Sequence, residues 1–253
     1  MTRRSKASKK IKNNVNYKSR FEFPSPPPIN CAVLSLEDVS FGYPEKELLF
    51  ENVNLSIDLT SRISIVGSNG DGKSTLLKIL CGELTPIKGE VKKNRRLRIA
   101  KYSQHNYDDM DYEKTAIEFL VAEHNIKRQN AHKMLGSFGL PSHVHRRKIG
   151  QLSGGEKALV RLAHIACSYP DLLILDEPST HLDIFNIECL IEAINHFRGG
   201  VVLVSHDQAL ITSTNCTLYV LENKKLCEFY GCFDDYRAHI LSRITAQEAE
   251  NSY

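Results

Sequence analysis

Four short stretches of the 253-residue sequence hold residue types suited to a polyphosphate. "GSNGDGKST" (Gly67–Thr75) fits G-x-x-x-x-G-K-[ST], with an apolar run before it and a helical pattern after it. In such a turn Gly67, Gly70 and Gly72 let the backbone curl until its N–H groups face phosphate oxygens, with Ser68, Asn69 and Asp71 completing the curl. Lys73 sets a cation against the β- and γ-phosphates, the Ser74 hydroxyl is the expected Mg²⁺ ligand, and Thr75 lies on the first helical turn near the phosphates. "LLILDE" (Leu172–Glu177) is an apolar run that closes on two carboxylates. Alternation along a strand sends them to different places: Asp176 suits the Mg²⁺ shell, and Glu177 suits polarisation of an attacking water. "VVLVSHD" ends a second apolar run at His206, which can donate to a γ-phosphate or hold the water. In "LSGGE", Ser153, Gly154 and Gly155 leave bare backbone N–H groups at a helix start, a second place suited to an anion. Asp71 is the odd member. It puts a negative charge into a loop meant for a polyanion, and its cost depends on whether the carboxylate faces inward or outward.

These side chains need a scaffold that brings strand ends to one edge. "AVLSLEDVSFGY", "NLSIDLT", "SRISIVG" and "RLRIAKYSQ" read as strands. A helix follows the glycine turn. Residues ~113–148 change to helical patterns without strands, "EKTAIEFLVAEH" and "RQNAHKMLGSF". Helices and buried strands then alternate through "LLILDE", "NIECLIEAINHF", "VVLVSH" and "DQALITST". A hairpin turning at Glu222–Lys225 and a helix at about Phe233–Ile244 follow. Uninterrupted apolar strands separated by helices predict an α/β fold with a parallel sheet covered on both faces. Ligands bind such sheets at the carboxyl edge.

Composition agrees with a globular domain: 42% of residues are hydrophobic and 25% charged. No apolar run approaches the ~20 residues of a membrane span, and the basic N-terminus lacks the apolar core of a secretory signal. The expectation is a cytosolic protein with no transmembrane segment. The seven cysteines are odd in number and scattered, which argues against a disulfide framework or zinc site and for small, mostly buried apolar residues. The net charge of +3 is uneven. Residues 1–20 hold eight basic residues and no acid, leaving 25 basic against 30 acidic residues, about −5, in the remainder. "FPSPPPIN" (Phe23–Asn30) reads as a stiff extended linker between that arm and the domain. "KKNRRLR" (Lys92–Arg98) reads as a solvated hairpin face, "HVHRRK" (His143–Lys148) as a loop before the LSGG turn, and "DDMDYE" (Asp108–Glu113) as a solvated loop.

The motifs in this order resemble the ATP-binding cassette (ABC) superfamily. The resemblance implies a P-loop NTPase core with an ABC-type antiparallel β subdomain and a helical subdomain, spanning 31–245, the helical part at about 108–168. Residues 1–30 then form a basic arm and linker, and 246–253 a tail. It also implies that Tyr43 in "FGYP" stacks on adenine, that Gln104 in "YSQH" contacts Mg²⁺ and water, and that Asp183 in "HLD" belongs to the D-loop. Ser153–Gly155 become the signature motif, and Glu177 and His206 the catalytic glutamate and switch histidine. Within the superfamily the chain looks most like the second cassette of an ABC-F protein. That implies ATP and Mg²⁺ clamped between two cassettes, each signature facing the other's P-loop, and a ribosome or RNA contact aided by the basic arm. The family usually has Pro at Ser68, a small residue at Asp71 and Gln at Glu156, and "DEPSTHLD" has Ser179 and Thr180 where Thr-Asn is typical. Two other functions share the motif set: a nucleotide-gated binding module with little turnover, and the energy subunit of a membrane transporter.

Overall fold

A computed structural model describes residues 20–27, 33–103 and 110–250, with 243–250 described by backbone alone. The alternating run LSLEDVSFG forms β1 (Leu34–Gly42), antiparallel to β2 (Leu48–Ile57) on one side and to β4 (Lys88–Lys93) on the other. One face of this three-stranded sheet carries Leu34, Leu36, Phe50, Val53 and Ile57. They pack with Leu76, Leu77, Ile79 and Leu80 of α1 (Lys73–Cys81), the helix that follows the glycine turn. β4 buries no side chain, and its lysine- and glycine-rich sequence shows no apolar alternation, which is why the pattern did not mark it as a strand.

The second sheet has six strands in the order β5-β6-β7-β3-β8-β9. These are β3 (Arg62–Val66), β5 (Ile99–Tyr102), β6 (Leu172–Asp176), β7 (Gly200–Val204), β8 (Thr217–Glu222) and β9 (Lys225–Glu228). All pair in parallel except β8 with β9, the hairpin expected at Glu222–Lys225. Every residue of β6 and β7 is buried, as strands covered on both faces must be. Val204 lies opposite both Ile65 and Asp176, so β3, β6 and β7 end level and their following loops share one edge.

Between β5 and β6 the chain runs through α2 (Ala116–His124), α3 (Arg128–Ser137) and α4 (Gly154–Cys167). Thr115 and Glu118 cap α2 reciprocally, so the helix starts later than "EKTAIEF" suggested. The rest of the fold is α5 (Ile184–His196), α6 (Gln208–Ser213) and α7 (Phe233–Glu250), the last running past the expected end at Ile244. None of the described helices is long and apolar enough to cross a membrane.

The linker expected at Phe23–Asn30 is packed at its first residue, and Phe21 just before it is packed as well. Phe21 and Phe23 are buried, at 4% and 3% exposure. Phe21 stacks on Phe138 at 4.8 Å between centroids, Phe23 meets Phe197 edge-on at 6.0 Å, and Arg20 N–H donates to Ser137 C=O at 3.0 Å. Two aromatic rings gain more from the seam between α3 and α5 than from water, and that outweighs the extended character the prolines impose. The cysteines also differ from expectation. Cys167 and Cys189 are buried, but Cys227, on edge strand β9, and Cys232, in the turn before α7, are exposed. Cys31 and the acidic residues 108–109 lie outside the described residues.

Of the basic "KKNRRLR" stretch, Lys92 pairs with Glu37 at 2.5 Å, while Arg98 forks onto the buried carboxylate of Asp171 at 2.8 Å. In the HVHRRK loop, His145 is buried. Its Nε2 sits 2.8 Å from Leu140 C=O and its Nδ1 lies 3.0 Å from His132.

Candidate nucleotide site

The site grows from the end of β3. Gly67 sits where a Cβ would come within 2.4 Å of Leu221 C=O, so only glycine lets the turn pass over β8. Gly72 has φ 97° and starts α1 with no side-chain cap. The starts of α2, α4, α5 and α6 are capped, by Thr115, Ser153, Asp183 and Asp207, and α3 also starts without a side-chain cap, but α1 alone of the two follows a glycine turn with the curl of an anion cradle. The first-turn N–H groups of α1 are thus left for an external acceptor, as an anion cradle requires.

In front of the turn lies a cavity of about 640 Å³. From the turn and α1 it is lined by Asn69, Gly70, Gly72, Lys73, Ser74 and Thr75, and from the ends of β6 and β7 by Asp176, Glu177 and His206. Tyr43 stands at its rim, 37% exposed, with its hydroxyl 3.3 Å from Thr75 Oγ1 and its ring edge-on to Phe41. An exposed aromatic face at the mouth of a phosphate cradle is placed as a base-stacking group would be.

Lys73 is buried and donates from Nζ to Gly67 C=O at 2.8 Å and Ser68 C=O at 2.9 Å. Burial pulls its pKa down, and Asp71, Glu177 and Asp176 oppose that pull. Asp176 is buried and level with the end of β7. Glu177 takes the left-handed conformation, φ 50°, and its N–H donates to Val204 C=O at 2.8 Å, which swings its side chain off the strand toward the cavity. Its Oε1 is buried without a hydrogen bond, 3.7 Å from His206 Nε2, and its Oε2 accepts from His206 N–H at 3.4 Å. Burial raises the Glu177 pKa, which the neighbouring His206 opposes. An unsatisfied buried carboxylate oxygen beside a cavity is an acceptor held ready for a water or a substrate proton. The donor set fits a magnesium nucleotide: the Ser74 hydroxyl and the Asp176 carboxylate are hard oxygen ligands beside the uncapped helix start.

Some predicted residues are not brought here. Gly67 and Ser68 line a neighbouring cavity against α7, and Asp71 is turned onto Ser68. Ser153, Gly154, Gly155 and Asp183 lie outside the 640 Å³ cavity. Ser153 and Glu156 form a capping box, which leaves the N–H groups of Gly154 and Gly155 without intrahelical acceptors. His181 packs over these glycines: its ring lies 3.3 Å from where a Cβ on Gly154 would stand, and its carbonyl 2.9 Å from one on Gly155. Asp183 accepts from Asn186 N–H at 2.8 Å as the cap of α5. Gln104 falls outside the described residues. The cavity also takes in Lys46, Leu49, Thr180 and Val204, which were not singled out as ligands. The turn after "FGYP" was the only signal for Lys46, whose N–H closes on Tyr43 C=O at 3.0 Å.

Comparison with known proteins places this geometry. A family model described as "ABC transporter" matches residues 50–180. The chain is 40% identical over 246 residues to ABC transporter F family member 4 of Arabidopsis thaliana, covering 93% of this chain and 34% of that protein. It is 41% identical over 227 residues to Protein GCN20 of Saccharomyces cerevisiae, covering 89% and 30%. The chain therefore spans about a third of the length of these relatives. The dimeric post-hydrolysis structure of the cassette MJ0796 bound to ADP and Pi superposes with a TM-score of 0.68 at 24% identity, covering 78% of this chain and 98% of that one. A bacterial Atm1-family exporter with ATP bound gives 0.71 at 21% identity, covering 91% and 44%. At these identities the structures establish the shared fold, antiparallel sheet included. With the family match over residues 50–180 and a phosphate cradle faced by two strand-end carboxylates and a histidine, the chain belongs to the ATP-binding cassette family of ATPases.

Proposed function

We propose that the chain is an ABC-F-type cassette that binds and hydrolyses Mg-ATP at an interface with a second cassette and acts on the ribosome or in translation. One observation carries the pairing. The cavity that gathers the P-loop, both carboxylates and His206 does not include the Ser153–Gly155 turn, whose Gly154 and Gly155 N–H groups have no intrahelical acceptor. A cassette built this way has one complete cradle and one spare set of phosphate donors, and two such cassettes placed head to tail use both. The translation role rests on the similarity to F-family proteins and on the basic run in residues 1–20. Eight basic residues with no acid among residues 1–20 would give a salt-sensitive hold on RNA phosphates.

In this reading Lys73 leaves its two loop carbonyls for the β- and γ-phosphates, and the N–H groups at the start of α1 hold the β-phosphate. Ser74 and Asp176, joined by Gln104, hold Mg²⁺, which when bound neutralises charge building on the phosphate oxygens. Glu177 orients and polarises the attacking water through Oε1, and His206 keeps that carboxylate in place and donates to the γ-phosphate. Ser153–Gly155 close over the γ-phosphate of the other cassette.

The test is phosphate release by the purified assembly. Glu177→Gln keeps the shape and removes the base, and turnover falls by roughly 10²-fold or more with ATP still bound. Lys73→Ala lowers both binding and turnover. Unchanged hydrolysis in both variants refutes the reading. Sedimentation velocity on Glu177→Gln with Mg-ATP then shows whether a second copy supplies the other half. A species that stays monomeric with nucleotide bound assigns that half to another cassette.

A further inference from the structure

Ser68 and Asp71, two positions that depart from the usual cassette loop, meet each other. Asp71 Oδ2 accepts from Ser68 N–H at 2.6 Å, and Asp71 N–H donates back to Ser68 C=O at 3.3 Å. The carboxylate is folded back onto the start of the loop. It is 3.1 Å from where a Cβ on Gly67 would stand, and it is absent from the lining of the nucleotide cavity. Gly67 and Ser68 instead line a cavity of about 530 Å³ whose far wall is α7, with Tyr236 and Arg237 facing in. From the other side Lys73 Nζ holds the carbonyls of Gly67 and Ser68. The Gly67–Ser68 stretch is therefore gripped from both sides, its carbonyls by the lysine and the Ser68 N–H by the aspartate.

We propose that Asp71 is a positioning residue, a latch that sets the curl of the phosphate loop before nucleotide arrives by holding the N–H of Ser68. This rests on the reading of the loop as a phosphate cradle. A loop held in its bound shape loses less freedom when the ligand orders it, so the latch favours binding. Its carboxylate does not line the nucleotide cavity, but its charge is felt by Lys73, so replacing that charge while keeping the acceptor separates the latch from the electrostatics. The latch exists only because position 68 is not proline, which has no N–H to give.

The experiment compares Asp71→Ala, Asp71→Asn, Ser68→Pro and the Ser68→Pro/Asp71→Ala double variant, with thermal melts confirming that each is folded. In nucleotide-free protein the Ser68 amide exchanges slowly in wild type and Asp71→Asn, which keeps the acceptor, and about tenfold faster in Asp71→Ala. Affinity for Mg-ATP falls about tenfold with Ser68→Pro in the wild-type background, as expected for loss of a hydrogen bond to a charged acceptor, and less than twofold in the Asp71→Ala background. Asp71→Asn binds at least as tightly as wild type. Equal Ser68 exchange in wild type and Asp71→Ala overturns the latch, as does the same Ser68→Pro effect in both backgrounds. A wild-type chain that protects the Ser68 amide but binds no Mg-ATP overturns the nucleotide reading instead, so the two failures are told apart.

Discussion

Replacing Phe23 with alanine tests whether the proline-rich entry segment is linker or core. The ring is 3% exposed and lies between Phe138, at 5.9 Å, and Phe197, at 6.0 Å. A buried phenylalanine removes about 150–200 Å² from water, which at ~25 cal/mol per Å² is about 4 kcal/mol. Measured Phe→Ala losses of ~3–5 kcal/mol in cores agree with that figure. For a chain of this size each kcal/mol moves the melting temperature by about 2–4 °C, so the variant melts roughly 10 °C lower. Urea unfolding should give the same loss through an earlier midpoint with an unchanged slope. Phe185, 44% exposed at the start of α5, is the control, and its alanine variant loses under about 1 kcal/mol. A Phe23→Ala loss no larger than that of Phe185→Ala refutes the packing argument.

Arg98→Ala strips the fork from the buried Asp171, which keeps only the backbone N–H of residue 98, and costs about 1.5–3 kcal/mol at neutral pH. Burial pushes the Asp171 pKa up, but the hydrogen bonds and charge of Arg98 pull it further down, so it ends below 3.8. A depressed carboxyl adds stability above its unfolded pKa and loses it as pH falls, so the gap between wild type and variant in urea unfolding closes below about pH 4. Gly155→Ala drives a Cβ to 2.9 Å from the His181 carbonyl, a backbone atom, and costs about 1–3 kcal/mol in a thermal or urea melt. Gly154→Ala meets only the exposed His181 ring, at 3.3 Å, which can swing aside, and melts within about 2 °C of wild type.

Much of the site was legible because phosphate chemistry constrains residue type and spacing together. The glycine turn, Lys73, the strand-end carboxylates and His206 were readable as a set because each sits at the end of an apolar run, and apolar runs mark buried parallel strands. What escaped the sequence depended on distant packing. β4 has no apolar face to betray it. Phe21 and Phe23 stand just before the prolines, and nothing local says that rings 117 and 174 positions further on would receive them. Lys46 reaches the cavity by a turn, and Thr180 by the tight loop in which its N–H bonds to Glu177 C=O at 3.2 Å. Ser68 and Asp71 were visible as separate oddities, and only their 2.6 Å contact makes them one feature.

The aromatic pair at the entry has a mechanical meaning. Phe138 ends α3, in the helical layer, and Phe197 ends α5, against the sheet, so Phe21 and Phe23 sit where the two layers meet. A shift of one layer against the other moves the point where residue 20 leaves the surface, and a pull on residue 20 acts as a torque between the layers. The chain enters the cassette through a contact that touches both layers at once, not through one of them alone.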